Sequence, residues 1–143
     1  MSKIRIVYAT KTKHSRKLAE AIGKELGVRA ENIMDRPVLK GVDLLFIVGG
    51  VYGGESMPEM LAFAGNLDSV DVKRAALVTS CLSKRQYQDS VRKLLGSKGI
   101  AVIDEMLCQG SFLFFGFGHP DKAELEQAKR YAKGLAEKAH ESL

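Results

Sequence analysis

The sequence contains no tryptophan, three prolines and two cysteines, and these scarcities narrow the class of protein. Cys81 and Cys108 form no C-x-x-C pair and lie in no ligand-rich stretch, which argues against a thiol redox motif or a zinc site. Two isolated cysteines fit a reducing compartment, so we expect a cytoplasmic protein. No run of about 18 apolar residues occurs, and Met1 leads almost directly into a strand, so we expect neither a membrane span nor a signal peptide.

Acidic residues are also sparse at the start of the chain. Residues 1–40 carry ten lysines and arginines against four acids, whereas residues 41–71 carry five acids and no base. The net charge of +5 suits nucleic acid, an acidic protein or an anionic ligand. Nucleic acid is not expected, because basic and aromatic residues do not interleave and no helix-turn-helix or zinc-finger spacing occurs.

Short apolar strands alternate with helical periodicities along the 143 residues, a length typical of one domain with a substantial core. Strands are predicted at residues 3–9, 28–33, 42–48, 74–79 and 100–108. Four helices are predicted, and capping boxes should begin two of them, at Ser56 with Glu59 and at Ser83 with Gln86. The buried helical faces would be Leu18, Ala19, Ile22 and Leu26; Met57, Met60, Leu61 and Ala64; Tyr87, Val91, Leu94 and Leu95; and Leu125, Ala128, Ala132 and Leu135.

This alternation predicts an α/β fold, with a parallel sheet covered by helices on both faces. Ligands of such sheets bind beyond the carboxyl ends of the strands. The loops at those ends span residues 10–15, 49–56, 79–87 and 109–120.

Three hydroxyl residues, Thr10, Thr12 and Ser15, lie between the first strand and the first helix. The helix cannot satisfy its first N–H groups internally, and these groups and the helix dipole favour an anion. Four bases accompany them: Lys11, Lys13, Arg16 and Lys17. The spacing alone fits both an anion site and an ordinary helix N-cap with solvated lysines.

The run Thr10-Lys11-Thr12-Lys13-His14-Ser15 resembles the phosphate loop of flavodoxins, usually T-x-T-G-x-T. The run Gly50-Val51-Tyr52-Gly53-Gly54-Glu55 is similar to the first flavin loop of that family. The resemblance covers essentially the whole chain and matches the short-chain form. It implies a single domain over residues 1–143, built as a three-layer, doubly wound α/β sandwich with a five-stranded parallel sheet in the order 2-1-3-4-5, and bound flavin mononucleotide (FMN).

The resemblance assigns the FMN phosphate to the turn after the first strand. The hydroxyls of Thr10, Thr12 and Ser15 would bind it, together with the N–H groups of Lys13 and His14. Lys13 stands where the family has a glycine that lets the backbone approach the phosphate closely. The positive charge of Lys13 would partly offset the loss of that approach.

The resemblance assigns the flavin ring to the next two loops. Tyr52 would lie against one face of the ring, although it could also be a half-buried loop aromatic. Gly53 would turn its carbonyl toward flavin N5, which glycine allows because it tolerates positive φ. Glu55 would accept the flavin N3–H or be solvated. The second flavin loop would contain Ser80, Cys81 and Leu82, and it lacks the aromatic residue that the family has directly after the fourth strand.

A phenylalanine-rich tract follows the last strand. It contains Phe112, Phe114, Phe115 and Phe117. Either Phe112 and Phe114 pack under the last helix, or the tract covers the flavin or forms a docking patch for a partner. Gly116 and Gly118 make no dinucleotide fingerprint, since they follow the last strand and lack a third glycine.

By resemblance the protein is an FMN carrier that passes single electrons to a redox partner protein, with the flavin supplying the chemistry. The basic charge, unusual among electron-carrying flavodoxins, indicates an acidic partner. Two alternatives remain: an FMN-dependent reductase or reductase-associated subunit acting on a quinone or tetrapyrrole, and a flavodoxin-fold interaction module without flavin. No catalytic residue and no metal site are predicted, and the sequence leaves the oligomeric state open.

Overall fold

The computed structural model describes residues 3–9, 14–52, 55–81, 88–109 and 122–142. Its strands are β1 (Ile4–Tyr8), β2 (Ala30–Asn32), β3 (Leu44–Tyr52), β4 (Glu55–Ser56), β5 (Arg74–Cys81) and β6 (Ala101–Gln109). Its helices are α1 (His14–Leu26), α2 (Pro58–Gly65), α3 (Asp89–Ser97) and α4 (Lys122–Ser142), with a 3-10 turn at Ile33–Asp35.

Five strands form a parallel sheet in the order β2-β1-β3-β5-β6, and the two residues of β4 pair antiparallel with the end of β3. Without β4, this is the order 2-1-3-4-5, so the predicted α/β sandwich is confirmed. Strands β3 and β5 have neighbours on both sides. Their almost continuous apolar sequences follow from the helices that cover both faces of the sheet.

The sheet separates two hydrophobic layers. One layer lies under α1 and α4 and contains Ile6, Leu18, Phe46 and Ala132. The other lies under α2 and α3 and includes Ile47 among its fully buried residues. Neighbouring residues of a strand, such as Phe46 and Ile47, therefore belong to different layers, as the alternation of side chains in a strand requires. Burying each such large side chain contributes about 1.5–3 kcal/mol.

The helices bury the faces that their periodicity predicts. Leu18, Ala19 and Ile22 of α1 are fully buried, and Ala128 and Ala132 of α4 are as well. Helix α1 ends where expected, because Gly27 follows it with φ of 69°, the left-handed conformation common just after a helix.

The capping box predicted at Ser56 and Glu59 is wrong. Ser56 belongs to β4, where it pairs with Val51, and Met57 precedes the helix without a side-chain capping hydrogen bond. Pro58 begins α2 instead, a position that suits its fixed φ and its missing N–H. The other predicted box, Ser83 with Gln86, lies outside the described residues, as does Tyr87. Helix α3 is described from Asp89.

Candidate functional site

The carboxyl ends of the parallel strands meet at one edge of the sheet. Tyr8 pairs with Val48, and Gly50 pairs with Ser80. The predicted phosphate turn after β1 and the predicted ring residues of β3 and β5 therefore belong to adjacent strands. Seven of the predicted site residues lie outside the described ranges: Thr10, Lys11, Thr12, Lys13, Gly53, Gly54 and Leu82.

At the phosphate end of this edge, α1 begins with His14 and Ser15. The Ser15 side chain is fully buried, and its hydroxyl has no hydrogen-bond partner within the described part of the chain. A buried hydroxyl without a partner costs about 1–3 kcal/mol. An anion oxygen at this helix terminus would satisfy it, so Ser15 fits the phosphate role.

The charges around the start of α1 favour an anion as well. The first turn of the helix contains no acid to complement the positive end of the helix dipole. Lys17 is exposed, and Arg16 forms an exposed ion pair with Glu20 at 3.5 Å. Exposed pairs of this kind contribute little to stability, which leaves the guanidinium able to change partner.

The ring end differs from the predicted loops. Gly50, Val51 and Tyr52 continue β3, and Tyr52 pairs with Glu55 across a short antiparallel hairpin. Ser80 and Cys81 likewise continue β5 rather than starting a loop. The backbone at these positions is therefore held by strand pairing.

A polar cluster, buried except for Arg92, supports this edge from the α3 side, and we call it the Glu105 clamp. It consists of Thr79 on β5, Gln88 at the start of α3, Arg92 within α3 and Glu105 on β6. Carboxylate oxygen Oε2 of Glu105 accepts hydrogen bonds from the Thr79 hydroxyl at 2.7 Å and from the Gln88 backbone N–H at 2.8 Å. Its oxygen Oε1 accepts from Nη2 of Arg92, also at 2.8 Å. The Glu105 side chain is only 3% exposed.

The Gln88 amide extends the clamp toward β3. Its Nε2 donates to the Thr79 hydroxyl oxygen at 3.1 Å and lies 3.5 Å from the carbonyl oxygen of Ile47. Its Oε1 is buried and has no hydrogen-bond partner among the described residues. This oxygen lies 3.0 Å from where a Cβ on Gly49 would be, so a glycine there leaves room for the Gln88 side chain.

Sequence reasoning missed the clamp. Its members belong to three separate elements, β5, α3 and β6. The pattern that could suggest it is a polar residue at an inward position on each of two neighbouring strands. Recognising that pattern requires the register between β5 and β6, which the sequence does not reveal.

An open groove of about 1180 Å³ lies along α1, β2 and the start of α4. Three acids line it, two of them paired: Glu20 with Arg16 and Glu31 with Arg5. The bases along the groove are Arg16, Lys17, Lys24, Arg29 and Lys129. The groove is therefore basic, and it reaches Tyr8 at the end of β1.

Within the described ranges, no helix is long and apolar enough to cross a membrane. The same residues include no group of three or more His, Cys, Asp or Glu side chains placed to hold a metal ion.

Comparison with known proteins places most of this chain within one family model. Residues 5–112 match a model of the flavodoxin domain. No curated protein sequence matches the chain.

Solved structures share the fold. A short-chain flavodoxin associated with a non-canonical PDU bacterial microcompartment has a TM-score of 0.75 and 19% identity, covering 97% of this chain and 99% of that one. Oxidised flavodoxin 2 from Bacillus cereus has a TM-score of 0.71 and 18% identity, covering 96% and 99%. An NAD(P)H:quinone oxidoreductase from Methanothermobacter marburgensis has a TM-score of 0.64 and 13% identity, covering 94% and 100%.

Proposed function

This chain belongs to the flavodoxin family, and from that premise we propose that it binds FMN non-covalently and passes single electrons to a protein partner. The observation that carries the proposal is the buried hydroxyl of Ser15, which has no partner within the described residues at the start of α1. A helix terminus that lacks acids and offers a hydroxyl suits a phosphate group.

Ten of the fifteen predicted site residues are given roles in this proposal. Ser15 and the N–H of His14 bind the phosphate with Thr10, Thr12 and Lys13. Gly50, Tyr52 and Glu55 hold one side of the flavin ring through the β3–β4 hairpin, and Ser80 and Cys81 hold the other through β5. When bound, FMN supplies one-electron redox chemistry at its ring system. The protein binds the ring, orients it and excludes water from it.

The partner is an acidic protein in this proposal. The groove along α1 keeps positive charge after its internal ion pairs are counted, and opposite charges accelerate encounter between redox proteins. We place the carrier in the cytoplasm, because its two cysteines suit a reducing compartment.

Titration of flavin-free protein with FMN and with riboflavin, followed by flavin fluorescence, tests this function. FMN should bind at least roughly tenfold more tightly, since a phosphate held by charge-assisted hydrogen bonds contributes about 1.5–3 kcal/mol for each bond. Equal affinities would contradict the phosphate site, and no binding of either flavin would contradict the carrier function.

The reductase alternative predicts a different result in a second assay. A carrier should not oxidise NAD(P)H unless a separate reductase is added. Rapid oxidation by the purified FMN-loaded protein alone, with a quinone as acceptor, would favour the reductase.

A further inference from the structure

The Glu105 clamp joins the two strands that carry the predicted ring residues. Thr79 immediately precedes Ser80 and Cys81 on β5, and one carboxylate oxygen of Glu105 binds both Thr79 and the backbone N–H of Gln88, nine residues further along. Through its side-chain amide, Gln88 then contacts β3 at the carbonyl of Ile47.

A buried carboxylate is an unusual choice for a purely structural contact. Apolar side chains of similar volume often stabilise a protein as well as a buried charge does, because burying the charge costs solvation. The carboxylate brings directional bonds instead, and bonds to a charged acceptor are shorter and stronger than neutral ones. Three donors converge on Glu105, and they come from β5, the start of α3 and the middle of α3.

We propose that Glu105 is a positioning residue for the flavin ring: its carboxylate aligns the carboxyl end of β5 with that of β3, so that both contact the ring. This inference rests on the proposed function. The clamp lies under β3 and β5, whereas the predicted phosphate residues follow β1. Loss of the clamp should therefore lower the affinities for riboflavin and for FMN by the same factor.

Two variants test the clamp in separate ways. Glu105→Gln replaces one acceptor oxygen by a donor, and Thr79→Val removes one of the three donors with little change of volume. Each variant should bind riboflavin and FMN with roughly tenfold lower affinity than wild type, because one hydrogen bond to a charged group is lost. The ratio of the two affinities should stay at the wild-type value.

Matched controls separate positioning from stability. Thr79→Ser keeps the hydroxyl and should bind both flavins within about twofold of wild type. Asp104→Asn makes the same charge change at the exposed neighbouring residue and should also bind like wild type. Leu94→Ala truncates a partly buried side chain of α3 that is no part of the clamp, so it should lower stability without changing flavin affinity.

Hydrogen exchange on flavin-free protein reports on the clamp without any ligand. The Gln88 amide should exchange at least roughly tenfold faster in Glu105→Leu than in wild type, because leucine offers that N–H no acceptor. Unchanged exchange would overturn the clamp itself.

The flavin titrations decide the positioning role. The inference is wrong if Glu105→Gln and Thr79→Val bind riboflavin with wild-type affinity, or if they lower the affinity for FMN alone. It is also wrong if Leu94→Ala lowers the affinity for both flavins as much as these two variants do. These results presuppose a wild type that binds flavin. A wild type that binds neither flavin refutes the proposed function, and the ring-positioning role with it, while the exchange result still shows whether Glu105 holds Gln88.

Discussion

The hydroxyl of Ser15 is a buried polar group whose place at the start of α1 suits an anion. In flavin-free protein its burial opposes folding, since no described residue hydrogen-bonds to it. In the proposed FMN complex, the same hydroxyl would donate to a charged phosphate oxygen. Ser15 would then lower the stability of the flavin-free protein and raise its affinity for FMN.

Ser15→Ala should leave the free energy of unfolding of flavin-free protein unchanged or raise it by about 1 kcal/mol. The variant should bind FMN with roughly tenfold lower affinity and riboflavin with unchanged affinity. Urea unfolding and fluorescence titration measure the two effects, with Ser69→Ala as an exposed control. A destabilised variant that binds FMN normally would instead assign the hydroxyl to the fold.

Gly49 is a second residue whose role depends on its surroundings. An added Cβ would lie 3.0 Å from Oε1 of Gln88 and 3.5 Å from Cε of Met60. Both are the far ends of side chains, but the Gln88 amide is held by Thr79 and cannot move freely.

Gly49→Ala should destabilise the protein by about 1–3 kcal/mol, the usual cost of overpacking a buried site. Gly134→Ala is the matched control, because its Cβ would meet no described atom within 4 Å on α4. That change should stabilise the protein by about 0.5–1 kcal/mol. Urea unfolding compares the two variants, and equal midpoints would show that Gln88 adapts to the extra methyl.

Asp43 connects elements at the opposite edge of the sheet. Its Oδ2 accepts the backbone N–H of Lys3, ahead of β1, at 2.8 Å. Its Oδ1 forms an ion pair with Lys73, ahead of β5, at 3.5 Å. Asp43 itself precedes β3, so one carboxylate joins the amino ends of three strands.

These contacts predict a dependence of stability on pH. The hydrogen bond from Lys3, assisted by the charge of Lys73, holds the pKa of Asp43 below its ordinary value of 3.8. Near that pH the folded protein binds fewer protons than the unfolded chain. The stabilisation is therefore present above about pH 4 and is lost as pH falls through the lower pKa of the folded state.

Asp43→Asn measures this contribution. The difference in unfolding free energy between wild type and the variant should be largest above about pH 5 and shrink below about pH 3. Urea titrations across that range give the difference. A difference independent of pH would assign the contribution to the shape of the side chain rather than its charge.

The charge of the whole molecule is distributed unevenly over its surface. The groove along α1 and β2 carries Lys24 and Arg29, whereas the other face of the sheet carries Lys93 on α3 and Lys98 directly after that helix. All four side chains are basic, so the two faces offer matched pairs of positive charges.

If the groove steers an acidic partner, the double variant Lys24→Gln with Arg29→Gln should slow electron transfer to an acidic acceptor about threefold or more at low salt. The double variant Lys93→Gln with Lys98→Gln should have a smaller effect. Stopped-flow transfer from about 0.05 to 0.5 M salt makes the comparison, and the wild-type rate should fall across that range because salt screens the attraction. A rate that does not change with salt concentration would mean that the groove does not steer the partner. Its positive charge would then serve phosphate binding and solubility only.

The sequence by itself determined the layers, the strand order through its family resemblance, and the helix faces. Periodicity suffices for the layers and the helix faces, because an apolar stripe can be buried in only one direction. Leu18, Ala19 and Ile22 were therefore assigned correctly. The resemblance also predicts a phosphate role for Ser15, but it does not reveal that the hydroxyl is buried.

Strand pairing decided what local patterns could not. The sequence pattern predicts that Ser56 caps a helix, but in the structure Ser56 pairs with Val51 and belongs to β4. At the other end of the site, Asp104 and Glu105 are adjacent acids that the sequence cannot tell apart. A register shift at Ala75 and Ala76 aligns Glu105, rather than Asp104, with Leu77. Because a one-residue slip exchanges the faces of a strand, it is this irregularity that turns Glu105 inward to Thr79 and leaves Asp104 exposed.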